Sequence, residues 1–383
     1  MEMREKDAEY EKVLVELNRA SRKDYHFKEG RVLGSMNTEP IAIAKVAHAI
    51  FLEANLGNPG LYPGTVELED ELISMTSELL HGEGVSGLTV SGGTEANITA
   101  LWIAKKVSSG TEVIYPKSAH FSFQKAADIL GLEPIEVGLT EKLQMDITEV
   151  EENISEKTAA VVGIAGTTEF GVIDPIKELA ELCDETLLHV DAAFGGFVIP
   201  YLADLGYDMP SFDFELENID FISIDPHKMG LATIPSGVLL MRNVECLEKI
   251  AVSSPYLTSP RQASLTGTRC SAGVASAYAA MKFLGRKGYR NIVRECMETT
   301  KYLVKMIEEV GLEIAIEPVM NIVCMRMNEP EKVLAHLDEL GWKASVTRYP
   351  KCLRIVVMPH VTKDVVDEFI PDLERVCRDL KEI

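Results

Sequence analysis

Apolar and polar positions change period several times along this chain, and the changes mark its elements. TAAVVGIAG (158–166) is a continuous apolar run closing on glycine, the pattern of a strand buried on both faces. Asp174-Pro175 follows and reads as an N-cap with proline at the first helical position. Ile176, Leu179, Ala180 and Cys183 then recur at i, i+3, i+4 and i+7, which predicts an amphipathic helix. LLHV (187–190), IDFISI (219–224) and SGVLLMR (236–242) are further apolar strands. Upstream, LTV (88–90) and EVIYP (112–116) read as strands, and EANITALWIAKK (95–106) and FQKAADILG (123–131) as helices. Strand and helix therefore alternate through this middle region, which predicts βαβ units and a largely parallel sheet.

The flanks differ. Tyr10, Val13, Leu14 and Leu17 share one helical face, and residues 1–60 read as mainly helical with loops. Towards the C-terminus a long helical stretch (272–310) leads to short strands at 313–316, 321–326 and 353–357, then a terminal helix at 362–381. The expected division is an N-terminal helical segment (1–60), a large α/β domain (61–270) and a small α+β domain (271–383). No Pro/Gly/Ser linker, repeat or low-complexity stretch separates them, so they are expected to pack closely.

Composition narrows the function classes. The 383 residues include 60 Asp+Glu against 38 Lys+Arg, a formal charge of −22. The 46% hydrophobic content excludes a disordered acidic chain. The anionic surface argues against sequence-independent nucleic-acid binding and against a polybasic membrane anchor, and leaves room for a local basic pocket. No apolar run approaches the ~18 residues of a membrane span, and the charged, amphipathic start leads us to expect no secretory signal. The seven cysteines are scattered, odd in number and without a CxxC pair, so a reduced cytoplasm is expected and a disulfide framework or zinc knuckle is not.

One generic motif carries nothing. GEGVSG (82–87) matches GxGxxG, but a helical pattern (Glu69 to Leu80) precedes it and a strand follows, the reverse of a dinucleotide fingerprint. There is no P-loop, nucleophile elbow or HExxH. What survives is a set of polar residues just after strands, where ligands sit in doubly wound sheets. LTV delivers Ser91-Gly92-Gly93-Thr94, opening into a helix whose free amides suit a phosphate. EVIYPKSA delivers His120, either a core histidine or a flat ring for stacking. VVGIAG delivers Thr167 and Thr168, and LLHV delivers Asp191, a carboxylate that needs a cationic or hydrogen-bonding partner. IDFISI delivers Asp225-Pro226-His227-Lys228. An amine near other cations titrates low and attacks carbonyls. His189 and Asp191 share a strand face, but no third metal ligand has suitable spacing. A phosphate cradle, a stacking imidazole, a carboxylate for a ring nitrogen and a Schiff-base lysine together are what pyridoxal phosphate requires.

SGGTEAN, SAHFSF, GIAGTTEFG, HVDAAFGGF and above all DPHKMG resemble the pyridoxal-dependent decarboxylases of the group that includes glutamate and aromatic amino-acid decarboxylases. GSM (34–36), NPGLYPGT (58–65), PYLT (255–258), GTR (267–269) and LRIVVMPH (353–360) resemble more closely the archaeal L-tyrosine/L-aspartate decarboxylases. The resemblance implies an α/β, aspartate-aminotransferase-like fold: a mainly parallel seven-stranded sheet in the large domain, a smaller α+β domain, and an obligate homodimer with the active site near its interface. It implies that Lys228 holds pyridoxal 5'-phosphate covalently, that Asp191 pairs with the pyridine nitrogen, and that His120 stacks on the ring with Ala193 below. Ser91, Gly92, Gly93, Thr94 and His227 would bind the phosphate, and Thr167 or Thr168 would line the cofactor's face. Asn37 and Asn58 stand where members of the group often carry Cys and Asp.

The implied reaction is α-decarboxylation, of L-tyrosine to tyramine (towards methanofuran) or of L-aspartate to β-alanine (towards coenzyme A). Tyr256, on a loop expected to be mobile, is the candidate acid that reprotonates the α-carbon, with His120 or Lys228 second. Arg354 and Arg269 are candidates for a substrate carboxylate or for structural ion pairs. Glutamate decarboxylation, an aminotransferase, a carbon–carbon lyase acting on a phosphorylated base, and a non-catalytic binding protein are the alternatives.

Overall fold

The computed structural model describes residues 8–383. Helix α1 (Tyr10–Ser21) carries its apolar residues exposed, and none of it is buried in the single chain. Helices α2 (Ala42–Ile50) and α3 (Pro63–Leu79) follow, α3 opening on Pro63, whose missing N–H costs nothing in a first turn. The large unit then runs β1 (Ser86–Val90), α4 (Gly93–Ser108), β2 (Glu112–Pro116), α5 (Ser122–Leu130), β3 (Glu133–Val137) and α6 (Ile147–Asn153). It continues with β4 (Thr158–Ile164), α7 (Ile176–Leu182), β5 (Leu187–Asp191), α8 (Ile199–Asp204), β6 (Phe221–Ile224) and β7 (Gly237–Met241).

These strands form one seven-stranded sheet, in the order β1-β7-β6-β5-β4-β2-β3. Pairings among β2, β3, β4, β5 and β6 are parallel, and β7 runs antiparallel to both β1 and β6. Successive side chains alternate between two apolar clusters. Ile114, Val161, Leu188 and Ile222 face one, and Val113, Ala160, Val162 and Phe221 face the other beneath α4 and α5. Both faces are covered, so the strands read as unbroken apolar runs. The exception is β3, EPIEV, which alternation and composition both conceal. As the edge strand it keeps its glutamates exposed and tolerates Pro134.

After a short hairpin, β8 (Val252–Ser253) and β9 (Arg261–Gln262), comes α9 (Ser271–Glu309). It is interrupted at Gly285, whose φ of 56° suits glycine. Next are β10 (Ile322–Arg326), α10 (Pro330–Glu339), β11 (Ser345–Val346), β12 (Cys352–Val356) and α11 (Lys363–Leu380). Strands β10, β12 and β11 make a three-stranded antiparallel sheet. The expected strand at 313–316 reduces to one bridge, Ile314 with Met325. Part of the N-terminal segment joins this unit: Leu33 N–H donates to Lys343 (2.8 Å), and Val356 N–H donates to Leu33 (2.7 Å).

Asp174 is not the cap that the sequence suggests. The cap position of α7 is Pro175, without a side-chain bond. Asp174 is buried and accepts from Met145 N–H and Ile164 N–H, both at 2.8 Å, bracing the end of β4. Burial pushes its carboxyl up to about 7. A carboxyl raised in the folded state contributes stability that is present below its unfolded value and is lost as pH rises towards 7. Asp174→Asn keeps one acceptor and sets an amide against the second N–H. It is expected to lower urea stability by about 1–3 kcal/mol and to remove this component of the pH slope, read as unfolding midpoints across pH.

Candidate active site

Strands β2, β4, β5 and β6 run one way, and β1 shares their direction because β7 opposes both it and β6. All five therefore end on one edge of the sheet, and the residues after them line a cavity of about 370 Å³. The first wall is the turn from β1 into α4. Helix α4 starts at Gly93, so the Gly93 and Thr94 amides belong to a first turn without intrahelical partners. The Ser91 amide is not free: it donates to Glu95 Oε2 at 2.7 Å. A Cβ at Gly92 would lie 2.8 Å from His227 Cε1, and one at Gly237 would lie 2.6 Å from Gly92 Cα. This turn is built for a close backbone approach.

Opposite it stands Lys228. Its Nζ lies 3.1 Å from Asp225 Oδ2. The nearest charge is thus an anion, where the sequence suggested a cationic neighbour. His227 turns its Nδ1 to the Ser236 carbonyl and its Nε2 to 3.8 Å from Asp225. Asp225 is buried, and its Oδ1 has no partner.

Asp191 closes β5. Its Oδ1 accepts from Ala193 N–H (3.0 Å) and lies 3.3 Å from Ser223 Oγ, while its Oδ2 accepts from Asn97 Nδ2 (2.9 Å). These donors stabilise a buried carboxylate without a salt bridge. His120 also lines the cavity. Burial holds its imidazole below the ordinary value, and Ser122 N–H donates to its Nδ1 at 3.3 Å, so a neutral ring carries its proton on Nε2. Thr168 and Ala193 complete this wall.

Four expected residues stand elsewhere. Thr167 is buried, and its Oγ1 accepts from Val172 N–H (3.2 Å), so of the two threonines only Thr168 lines the cavity. Tyr256 is 85% exposed between β8 and β9 and does not line the cavity. Arg269 forms an ion pair with Glu69 and donates to Thr89 Oγ1 (2.7 Å), which makes it a structural cation here. Arg354, on β12, donates from Nη1 to the Gly34 carbonyl (3.0 Å) and to Ser345 Oγ (2.9 Å). Asn58 Oδ1 accepts from Thr258 N–H (2.9 Å) and so anchors the loop that carries Tyr256; the Asn37 Oδ1 is buried without a partner. Among the described residues, His81, Asp213 and Glu215 bring possible metal-ligand atoms within 4.8 Å of one another, away from this cavity. Sequence reasoning assigned no role to Asn97, Ser223 or Phe121. The apolar run FISI conceals Ser223, and Asn97 shows only as the last residue of SGGTEAN.

The donor set fits pyridoxal phosphate: an amide-lined turn for the phosphate, an amine opposite, a buried carboxylate and a neutral ring between them. Residues 59–328 match the pyridoxal-dependent decarboxylase conserved domain. The chain belongs to the pyridoxal-dependent decarboxylase family. Pyridoxal phosphate is its cofactor, and loss of a carboxyl group is its reaction.

Members of the family resemble it over nearly the whole length. A protein of Archaeoglobus fulgidus named as a probable L-aspartate decarboxylase is 47% identical over 96% of this chain and 99% of its own. One of Methanothermobacter thermautotrophicus, named as a probable L-tyrosine/L-aspartate decarboxylase, is 45% identical over 91% and 98%. Among solved structures, the sphingosine-1-phosphate lyase of Burkholderia pseudomallei is 27% identical (TM-score 0.91), covering 99% of this chain and 92% of its own. The glutamate decarboxylase of Lactobacillus brevis, 20% identical, shares the fold (TM-score 0.89), covering 100% and 96%.

Gly92→Ala tests the phosphate turn. The added methyl must displace the His227 ring, and a clash of about 1–3 kcal/mol weakens cofactor affinity by about 5–150-fold. Fluorescence titration of the cofactor-free protein with pyridoxal phosphate reads this directly; unchanged affinity would place the phosphate elsewhere.

Proposed function

We propose that this enzyme removes the α-carboxyl group of L-aspartate, giving β-alanine, and of L-tyrosine, giving tyramine. The observation that carries the reading is Arg354. The residue is 6% exposed, and its Nε and Nη2 are buried without a partner. Burial pulls its pKa down to about 10. A buried cation with two idle donors is stabilised by an incoming carboxylate. A residue that binds the leaving carboxyl tightly would hold back its departure. A carboxylate that stays on the product suits Arg354 better, and aspartate has one. Tyrosine is the second reading, supported by the Phe121 wall of the cavity and by the names of similar proteins.

The bound cofactor supplies a protonated ring that takes up the electron pair released with CO₂. The chain supplies the rest. Lys228 would hold the cofactor through its amine, until the substrate's own amine takes its place. Asp191 keeps the ring nitrogen protonated, because an adjacent anion raises that group's pKa. His120, Ala193 and Thr168 line the cavity and would pack against the ring, with His120 keeping water from it. Gly92, Gly93 and Thr94 bind the phosphate, with Ser91 and His227 beside it. A proton for the α-carbon comes from Tyr256, with His120 or Lys228 as the alternatives.

The working unit is a homodimer. Helix α2 packs one face on α9 and leaves Ile43, Val46 and Ile50 exposed at i, i+3 and i+7, Ile50 at 70%. The exposure of Tyr256 in one chain fits delivery across that interface. The products suit coenzyme A and methanofuran synthesis in the cytoplasm. In keeping with this, all seven cysteines are free, and no described helix is long and apolar enough to cross a membrane.

Purified enzyme with pyridoxal phosphate and L-aspartate, L-tyrosine or L-glutamate, analysed by mass for CO₂ and amine, tests the reaction. β-Alanine or tyramine is expected, and Lys228→Ala is expected to abolish both turnover and borohydride-trapped cofactor. A keto acid or an aldehyde would turn the reading to an aminotransferase or a carbon–carbon lyase. Arg354→Met is expected to raise KM for aspartate by about 10–100-fold, the loss of a charge-assisted bond of about 1.5–3 kcal/mol. Val46→Glu with Ile50→Glu is expected to halve the mass in sedimentation; an unchanged mass would remove α2 from the interface.

A further inference from the structure

Asn97 lies on α4, is 1% exposed, and has a partner at each of its four hydrogen-bonding positions. Its Nδ2 donates to Asp191 Oδ2 (2.9 Å) and to Ser122 Oγ (3.0 Å). Its Oδ1 faces His189 Nε2 (2.8 Å) and Ser223 Oγ (3.1 Å). The partners come from β5, β6 and the start of α5, so one amide ties three elements together. Ser122 carries the link onward, because its backbone N–H donates to the His120 ring.

The direction of this amide follows from charge. Reversing it would set Oδ1 against the Asp191 carboxylate, two acceptors face to face. Asp191 therefore fixes Asn97 with its NH₂ inward. The opposite side then presents an oxygen to His189, which must answer with a donor. His189 is fully buried, and burial pushes its imidazolium down to about 4, so the ring is neutral. Its single proton belongs on Nε2.

We propose that Asn97 is a positioning residue that holds Asp191 in register with the phosphate turn, and that His189, as the Nε2–H tautomer, holds Asn97. Gly93 and Asn97 are four residues apart on α4, one helical turn of about 5.4 Å. One rigid helix thus presents the phosphate-binding amides at its first turn and the support of the ring-nitrogen carboxylate at its second. The two ends of the cofactor are registered against each other by that spacing. This inference rests on the reading that Asp191 faces the ring nitrogen.

The test compares Asn97→Ala, His189→Gln, His189→Leu and Asp191→Ala. The readouts are pyridoxal phosphate affinity, the visible band of the bound cofactor against pH, and the Tm of the cofactor-free proteins. Asn97→Ala is expected to weaken affinity by about tenfold or more, one buried bond to a charged group, and to shift the pH at which the band changes. His189→Gln keeps a donor near the Nε2 position and is expected to stay close to wild type, whereas His189→Leu approaches Asn97→Ala. Nitrogen-15 NMR of the histidine-labelled, cofactor-free protein reads the His189 tautomer without any variant at Asn97, and a proton on Nε2 is expected. A proton on Nδ1 overturns the proposal, as does wild-type affinity and spectrum in Asn97→Ala while Asp191→Ala loses both. If Asp191→Ala leaves both unchanged, the assignment of Asp191 falls, and the inference with it.

Discussion

Everything at this site depends on strand direction. Five strands that point the same way release their chain ends along one edge of the sheet, and the edge collects polar groups that the apolar layers cannot accept. A lone buried carboxylate costs several kcal/mol, so such groups persist only when they answer one another. Asp191 has its two amide donors, Asp225 has Lys228, and Asn97 has four partners. The set is stable as a whole and not member by member. Asp225 Oδ1, beside the glycine turn, and His189 Nδ1, behind Asn97, are among the buried atoms left unanswered.

Much of this was legible from residue order. The βαβ texture predicted the parallel sheet because strands buried on both faces are apolar throughout, and chain direction alone then put Ser91, His120, Asp191 and Lys228 at one edge. What remained hidden has physical reasons. β3 looks polar because it is an edge. Asp174 looks like a cap because Asp-Pro is a capping pair, yet its carboxylate is committed to two distant amides. The environment of Lys228 was inferred from its sequence neighbour His227, whereas three residues back is where an i,i+3 contact lies, and Asp225 occupies it. The two arginines look alike in sequence. Only packing shows that Arg269 already has a glutamate, while Arg354 has none of its bonds to a carboxylate.

The smaller unit is bound to the larger by more than contact. Helix α9 begins beside the sheet and ends under the C-terminal cluster, where Leu303 and Ile307 pack with Leu353 and Phe369. Leu33 adds a second attachment from the other end of the chain. Arg354 reaches across this junction to the Gly34 carbonyl, so its guanidinium staples the N-terminal segment to β12.

The near-contact of Gly92 and Gly237 limits how such an enzyme can diverge. β7 runs against its neighbours, so its first residue meets the edge where theirs finish, and the two glycines touch backbone to backbone. A side chain at Gly237 would run into the Gly92 backbone, and one at Gly92 would run into the His227 ring, so a change at Gly237 cannot be rescued by shrinking Gly92, which is already minimal. Descent with modification is therefore restricted at this turn and freer at the wall that Phe121 forms. A lineage carrying this pair can reshape that outer wall far more readily than the glycine turn.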